Sequence, residues 1–384
     1  MINKAKKKHH SASGKLKGKE LQVDIVSLTN TGDGLARHDN QVVFVPYTMP
    51  GDTVRIKVLQ DKGSFLIASL LEIVAESPDR IIPSCDYFGK CGGCDWLHIP
   101  YQLQLDVKVN ELRETLSRIG GLLDTEIQEI IASPKSTRYR NRIQGHIQDN
   151  AFHFMRRGSN KLIAIRQCEI ADARINQRIA QGFKDIARGK VELSVSDEKV
   201  LLTPKLAKGG GDGGFRQVNT EMGLVLHDLV LSTLRTGEFE SVNDLYCGRG
   251  EWTNAIAQLL PNASVVGIDA MPENIALAES HAAREGLQNV NYVQALVEEA
   301  LSRFEVKNSF CIVDPPRAGL DTAVTKALCR RPARELIYVS CHAASLARDL
   351  KILTDGGYEI TLIQPLDMFP QTAHLETLVR LRAS

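Results

Sequence analysis

The chain has 384 residues, 43% of them hydrophobic and 24% charged, with a formal net charge of +1 at pH 7, and this length predicts two or three domains rather than one core. No apolar run reaches the roughly 18 residues of a membrane span, and the N-terminus lacks the apolar core of a secretory signal, so we expect a cytoplasmic protein without membrane contact. There, the eight cysteines should be reduced thiols, metal ligands or nucleophiles rather than disulfides.

The N-terminal part of the chain has two regions of different character. Residues 1–19 hold seven lysines, two histidines and no acidic residue, and such a block is either a solvated tail or an arm that binds phosphate groups. Residues 20–77 alternate like short β-strands between turn sequences such as NTGDG and MPGD. Five strands at this spacing predict a small barrel that binds single-stranded nucleic acid, or one that is only a structural appendage.

Three cysteines, Cys85, Cys91 and Cys94, lie within ten positions of each other in the stretch SCDYFGKCGGCDW. Their C-x5-C-x2-C spacing differs from that of a zinc ribbon, and no second close pair of cysteines or histidines follows. The stretch therefore predicts a thiolate site that lacks its fourth ligand locally. The next segment, YQLQLDVKVNELRETLSRIGG, predicts an amphipathic helix that ends at Gly120 and Gly121.

The C-terminal half predicts a doubly wound α/β domain with a mostly parallel sheet. It follows a glycine-rich stretch, KLAKGGGDGGF, which we interpret as a flexible hinge, and then strands alternate with helices. Gly248 and Gly250 form a turn between a strand and a helix, and acids end the next strands at Asp269 and Asp314. These strand ends predict a nucleoside cofactor bound without a pyrophosphate cradle, which favours S-adenosylmethionine over NAD.

A cysteine and an acid suggest covalent chemistry beside that cofactor. Cys341 follows an apolar strand at the same predicted edge of the sheet, and Glu376 lies just inside the last strand, between leucines. A buried acid is costly unless it is paired or functional. A thiol nucleophile and a carboxylate base next to a methyl donor indicate covalent catalysis.

The motifs CDYFGKCGGCDW, FRQVN, DLYCGRGEWT, DPPRAGL, VSCH and HLETLVRL occur in this order, and with them the sequence resembles the uridine-5 RNA methyltransferases, which form 5-methyluridine in ribosomal and transfer RNA. The resemblance covers nearly the whole chain and is greatest to bacterial 23S ribosomal RNA enzymes with a barrel and an iron–sulfur cluster. It implies a TRAM barrel over residues 20–77, a central α+β iron–sulfur domain over 78–205 and a class I methyltransferase domain over 206–384.

The resemblance also implies a fourth cluster ligand. In this family a distant cysteine completes the set, and Cys168 in IRQCEI matches it. Four thiolates suit a 4Fe-4S cluster, and a fully ligated cluster implies a structural role rather than radical chemistry. Zinc at the same cysteines is the alternative.

The family mechanism assigns roles to the site residues by motif match. Cys341 would add to carbon 6 of uracil, Glu376 would remove the proton from carbon 5, and Asp314 would bind the uracil edge. The cofactor positions by motif match or by the glycine turn are Gln217, Tyr246, Gly248, Gly250, Asp269 and Asp314. The sequence departs from the family at Glu251, Trp252, Ala295 and the residues after Cys341, beginning with His342, so their roles stay open.

We expect RNA as the partner of a monomer that binds neither DNA nor membranes, with 23S ribosomal RNA favoured over transfer RNA by resemblance. A methyltransferase acting on an exocyclic nitrogen or a small molecule is a rival, but Arg317 follows the prolines where such enzymes usually have an aromatic residue. A non-catalytic RNA-binding or ribosome-assembly factor is the second rival, and intact Cys341 and Glu376 count against it.

Overall fold

The computed structural model describes residues 14–123, 125–184, 186–196, 199–205, 217–235, 237, 239–301 and 309–384. Most of the predicted basic tail, residues 1–13, and the predicted glycine-rich hinge after Lys205 lie outside them. None of the described helices is both long enough and apolar enough to cross a membrane.

The chain divides into two compact units, and each of them is discontinuous in sequence. The first contains residues up to Val107 together with the short segments Arg156–Ser159 and Gln371–Ala373. The second contains Lys108–Met155, Asn160–Pro370 and His374–Ser384.

The first unit contains a six-stranded sheet in the order β1-β5-β6-β4-β3-β2, in which only the β4–β6 pair is parallel. Its core forms because apolar and polar side chains alternate along the strands. On β5, buried Val54 and Ile56 alternate with exposed Arg55 and Lys57. The structure has six strands where the sequence predicts five, since a two-residue β2 forms separately. The strands are β1 Glu20–Asp24, β2 Ser27–Leu28, β3 Gly34–His38, β4 Gln41–Val45, β5 Thr53–Asp61 and β6 Phe65–Ala75.

The cysteine-rich stretch follows this sheet and surrounds a short segment from near the C-terminus. Trp96 is fully buried, and the backbone N–H groups of Asp95 and Trp96 donate to the carbonyl of Gln371 at 3.0 and 3.1 Å. The amide side chain of Gln104 donates to Gln371 Oε1 and accepts from Gln371 N, both at 3.0 Å. Gln371 adopts a left-handed backbone with φ +67°, which is uncommon for a residue other than glycine. Four hydrogen bonds therefore hold a strained residue in place.

The second unit begins within helix α1 and contains a five-stranded antiparallel sheet. Its strand order is β11-β10-β7-β8-β9. As predicted, the first helix ends at a glycine pair, because α1 continues as a π-helix over Leu116–Gly120 and Gly121 takes a left-handed φ of +68°. The elements are α1 Tyr101–Thr115, β7 Arg142–Gln148, β8 Ala151–Met155, β9 Leu162–Ile165, α2 Ala173–Ala180, β10 Gly189–Ser196 and β11 Lys199–Pro204.

The rest of the second unit is a doubly wound seven-stranded sheet with helices on both faces, as predicted. Its order is β14-β13-β12-β15-β16-β18-β17, and β18 runs antiparallel to both neighbours. The central strands are buried on both faces, which explains their near-continuous apolar runs. The elements are α3 Thr220–Arg235, β12 Ser241–Leu245, α4 Glu251–Leu259, β13 Ser264–Asp269, α5 Pro272–Glu285, β14 Val290–Gln294, α6 Val297–Ala300, β15 Phe310–Val313, α7 Thr322–Arg330, β16 Glu335–Ser340, α8 Ala343–Asp355, β17 Tyr358–Leu366 and β18 Glu376–Ala383.

Candidate active site

The topology of the seven-stranded sheet brings the predicted site residues to one edge. Strands β12, β13, β15 and β16 are parallel, so their carboxyl ends lie together, and antiparallel β18 begins at this edge. Ligands of open α/β sheets bind at this edge. Five side chains lie where these strands end or, for β18, begin: Tyr246, Asp269, Asp314, Cys341 and Glu376.

A cleft of about 1330 Å³ opens at this edge within the second unit. All five of these residues line it, together with Gln217 and Gly248. Glu251 and Trp252 also line the cleft, whereas Ala295 and Gly250 do not. The structure therefore brings together the predicted cofactor and catalytic residues of this domain, with Gly250 as the exception.

The turn between β12 and α4 is built from left-handed backbone. Tyr246, Gly248 and Gly250 have φ values of +72°, +55° and +77°. A Cβ on Gly250 would lie 2.9 Å from Cζ of Tyr292, whereas one on Gly248 would meet nothing within 4 Å. Gly250 is thus needed to pack the turn, and Gly248 keeps the backbone open towards the cleft.

Asp269 ends β13 in a fixed orientation. Its carboxylate accepts hydrogen bonds from Gly248 N at 3.0 Å, Met271 N at 2.8 Å and Asn274 Nδ2 at 3.2 Å. These bonds tie the strand end to the glycine turn and hold an anionic acceptor beside the cleft, where a ribose hydroxyl could donate to it.

Cys341 and Glu376 are brought together by strand register. Ser340 and Thr377 form the last pair between β16 and β18. The next residue on each side of this antiparallel ladder is Cys341 or Glu376, so these two lie side by side. Burial raises the pKa of Glu376 well above its usual value, and Asp314 adds to this rise, whereas Arg317 opposes it. Burial likewise raises the pKa of the Cys341 thiol, as does Glu376, whereas Arg317 lowers it. Two acids that resist ionisation therefore lie side by side.

Asp244 is a buried acid that the sequence reasoning missed. It is 1% exposed, and Thr253 Oγ1 donates to its Oδ2 at 2.6 Å. Burial raises the pKa of Asp244 to about 7. Burial also raises the pKa of Asp314, and the negative charge of Asp244 raises it further. An acid inside a strand next to the glycine turn is the sequence pattern that could have identified it.

Arg317 and His374 form a second contact that the sequence reasoning missed. Nη2 of Arg317 lies 3.1 Å from Nε2 of His374 and 3.4 Å from its Nδ1. Burial and then the charge of Arg317 lower the pKa of His374 to about 4, so its ring is neutral. Their places immediately after Pro316 and two residues before Glu376 are the pattern that could have indicated them. His342, by contrast, caps α8, since its Nδ1 accepts from Ser345 N at 3.3 Å.

The structure places the predicted cluster ligands in both units. Cys85, Cys91 and Cys94 lie in the loop between β6 and α1 of the first unit, and Cys168 follows β9 in the second. None of the four is part of a disulfide. Within the described ranges, no group of three or more His, Cys, Asp or Glu side chains is arranged to hold a metal ion. The iron–sulfur cluster and its domain therefore stay predictions.

Comparison with known proteins identifies the family. A family model described as tRNA (uracil-5-)-methyltransferase matches residues 191–384, and a TRAM domain model matches residues 14–71. A protein of Bdellovibrio bacteriovorus, named as an uncharacterized RNA methyltransferase, is 30% identical and aligns over 98% of this chain and 99% of its own length. The chain belongs to the tRNA (uracil-5-)-methyltransferase family. It is an RNA (uracil-C5) methyltransferase that depends on S-adenosylmethionine.

A further relative supports the family, and a solved structure supports the fold. An uncharacterized RNA methyltransferase of Aquifex aeolicus is 30% identical over 95% of this chain and 99% of its own length. The crystal structure of Pyrococcus abyssi tRNA (uracil-54, C5)-methyltransferase with S-adenosyl-L-homocysteine superposes with a TM-score of 0.71 at 24% identity, over 94% of this chain and all of that one. The predicted N-terminal TRAM domain and C-terminal methyltransferase fold are therefore confirmed.

Proposed function

We propose that this RNA methyltransferase acts through a covalent adduct between Cys341 and carbon 6 of the target uracil. The observation that carries the proposal is the strand register that sets Cys341 beside Glu376 in the cleft that Asp269 and the glycine turn also line. A nucleophile and a base side by side at the edge where ligands bind are the two groups that the chemistry requires.

The reaction follows from the poor nucleophilicity of carbon 5 in uracil. The Cys341 thiolate adds to carbon 6, forming an S–C6 bond, and the electron pair of the C5–C6 double bond moves towards O4 as an enolate. When bound, S-adenosylmethionine supplies the electrophilic methyl group that this activated carbon 5 takes up. Glu376 then accepts the C5 proton, the double bond re-forms, and the S–C6 bond breaks to release Cys341 as thiolate.

Asp314 would hold the uracil edge during these steps. Its raised pKa follows from burial and from Asp244 behind it. A uracil must leave its stack to reach a thiol at the edge of the sheet, so the target nucleotide would be flipped into the cleft.

For the cofactor, we propose that Asp269 accepts hydrogen bonds from the ribose. Gly248 would let the backbone approach the ligand, while Gly250 would maintain the turn that makes this possible. Gln217 and Tyr246 would contact the remaining parts of the cofactor, since both line the cleft beside the glycine turn.

The proposed substrate is 23S ribosomal RNA, with transfer RNA as the second candidate. The first is favoured by the cysteine-rich motif and the second by the tRNA enzyme of Pyrococcus abyssi. The test is transfer of tritium from labelled S-adenosylmethionine to purified 23S ribosomal RNA or transfer RNA, followed by mapping of 5-methyluridine. Label only in transfer RNA would reject the ribosomal assignment, and label in neither would favour an assembly factor.

We also propose that Cys85, Cys91, Cys94 and Cys168 hold a 4Fe-4S cluster with a structural role. Four soft thiolates form the donor set that such clusters use. A Cβ on Gly93 would lie 3.5 Å from Sγ of Cys91, so the glycine leaves room beside that sulfur. No step of the reaction above involves the cluster.

A further inference from the structure

The proposed mechanism requires two neighbouring acids to be anionic at different steps. Cys341 must be a thiolate when it adds to carbon 6, and Glu376 must be a carboxylate when it accepts the C5 proton. Burial opposes both charges, and each negative charge opposes the other. Asp314, a third acid, faces the same two groups. Each negative charge in this group therefore disfavours ionisation of the other two acids.

Arg317 is the cation that reaches both groups. Its positive charge lowers the pKa of both Cys341 and Glu376, against the rise that burial causes. The side chain also lines the cleft together with Cys341, Glu376 and Asp314.

Contacts on both sides of Arg317 hold it in place. Its carbonyl accepts a hydrogen bond from Ser345 Oγ at 2.9 Å, which ties the backbone to the start of α8. Its guanidinium lies against the ring of His374, with Nη2 3.1 Å from Nε2. Burial and then the charge of Arg317 lower the pKa of His374 to about 4, so its ring stays neutral and does not repel the guanidinium.

We propose that Arg317 is a shared counterion that serves Cys341 and Glu376 in turn, and that His374 is the positioning residue that holds it. This inference rests on the proposed covalent mechanism. Before addition, Arg317 would stabilise the thiolate, whose proton leaves to water. Once the sulfur electron pair has formed the S–C6 bond, the guanidinium is released from that charge and stabilises the Glu376 carboxylate, whose own proton also leaves to water before the C5 proton is taken up.

The test measures the thiol itself, without RNA. The full-length protein is alkylated with iodoacetamide over a series of pH values, and modification of Cys341 is followed by mass spectrometry of its peptide. Arg317→Gln should move the midpoint of Cys341 alkylation upward by about one pH unit, equivalent to tenfold less thiolate below the midpoint. The midpoint is the measure because a more basic thiolate is also intrinsically more nucleophilic.

Three further variants separate charge from structure. Arg317→Lys keeps the cation and should move the midpoint by less than Arg317→Gln, as should His374→Phe, which removes only the positioning contact. Arg348→Gln is the matched control, because Arg348 binds the carbonyls of Ala318 and Leu320 in the same turn without reaching the thiol. Its midpoint should equal that of the wild type.

Equal midpoints for Arg317→Gln and Arg348→Gln would overturn the proposal. If Arg317→Gln does not fold, as judged by its melting curve, the decision rests on Arg317→Lys. An alkylation midpoint equal to that of the wild type, together with turnover below one hundredth of the wild-type value, would also reject the proposal, because the charge would be kept while the activity was lost. Full turnover by Cys341→Ala would instead reject the covalent mechanism. The alkylation midpoints would still report whether Arg317 lowers the pKa of the Cys341 thiol.

Discussion

Ser340 on β16 pairs with Thr377 on β18, and this is the last pair of the antiparallel ladder before Cys341 and Glu376. The two reactive groups are therefore set side by side by backbone hydrogen bonds rather than by a loop. Because the ladder does not depend on the side chains of Cys341 and Glu376, changes at either position should preserve the fold.

The first prediction separates the roles of the two residues. Cys341→Ala should form no covalent species with RNA, because addition to carbon 6 is the first step. Glu376→Gln should allow addition and methyl uptake but block removal of the C5 proton, so a denaturation-resistant protein–RNA adduct should accumulate. Gel electrophoresis under denaturing conditions with labelled RNA measures both.

The control for this experiment is His342→Ala. His342 caps α8, so its replacement should lower the melting temperature slightly but leave proton removal intact. Adduct in Cys341→Ala would place the nucleophile elsewhere, and normal turnover by Glu376→Gln would assign the base to another group or to water.

The second prediction concerns stability and pH. The pKa of Asp244 is raised from 3.8 to about 7, so its stabilising contribution is fully present below 3.8 and is lost as the pH rises through 7. The loss is on the order of 4 kcal/mol, since each pKa unit corresponds to about 1.4 kcal/mol. Asp244→Asn can still accept from Thr253, so its melting temperature should fall less than that of the wild type between about pH 5 and about pH 8.

The matched control for Asp244→Asn is Asp228→Asn, whose side chain is 71% exposed beside Arg235. It should reproduce the pH dependence of the wild type. If Asp244→Asn loses as much stability as the wild type over this range, the buried acid is not the origin of the pH dependence.

The third prediction compares the two glycines of the β12–α4 turn. Gly250→Ala adds a Cβ against Tyr292 in left-handed backbone, so it should destabilise the protein by at least the roughly 1–2 kcal/mol of backbone strain. Gly248→Ala has open space and should cost only about that strain. Its methyl group should instead weaken S-adenosylmethionine binding, measured by calorimetry. Equal melting temperatures for the two variants would contradict the close packing of Gly250.

The fourth prediction tests the proposed cluster. Protein purified without oxygen should be brown and contain about four irons per chain. Cys168→Ser should lose most of the iron, whereas Cys329→Ser, whose thiol donates to the carbonyl of Ile352 at 3.6 Å, should keep it. Metal analysis that finds stoichiometric zinc without iron in the wild type would refute the iron–sulfur assignment.

The fifth prediction concerns RNA binding by the six-stranded sheet of the TRAM domain. Lys57 projects from the exposed face of β5, and Lys57→Gln should reduce the slope of log affinity against log salt by about 1. Arg55→Gln should have a smaller effect, because Arg55 already pairs with Glu72 at 2.8 Å and Glu20 at 3.6 Å. Unchanged slopes in both variants would exclude this face from the RNA contact.

The residues at the ligand-binding edge of the seven-stranded sheet could be predicted from sequence, because the end of each apolar strand is visible in the residue pattern. Buried apolar runs stop at Tyr246, Asp269 and Asp314, and parallel strands must bring such ends to one edge. The sequence could suggest Cys341 and Glu376 as a nucleophile and a base, but not that they lie side by side, since 34 residues separate them and their register depends on the β16–β18 ladder.

The contact between Arg317 and His374 could not be predicted in the same way. An arginine after two prolines has no periodic partner, and the histidine lies 57 positions further along the chain. Asp244 could be noticed in the sequence as an acid inside a strand, but its burial and its hydrogen bond from Thr253 appear only in the folded chain. Such contacts depend on tertiary packing, which local patterns do not encode.

The small segment Gln371–Ala373 limits how this protein can be divided. It belongs to the first unit, where Asp95, Trp96 and Gln104 supply its hydrogen bonds, yet it lies only a few residues before Glu376. A methyltransferase fragment that begins after the central region would carry Gln371 without these donors and acceptors, while a fragment ending before it would expose the backbone N–H groups of Asp95 and Trp96. Truncation would therefore damage both halves, and point variants of the intact chain are the sound way to separate RNA binding from catalysis.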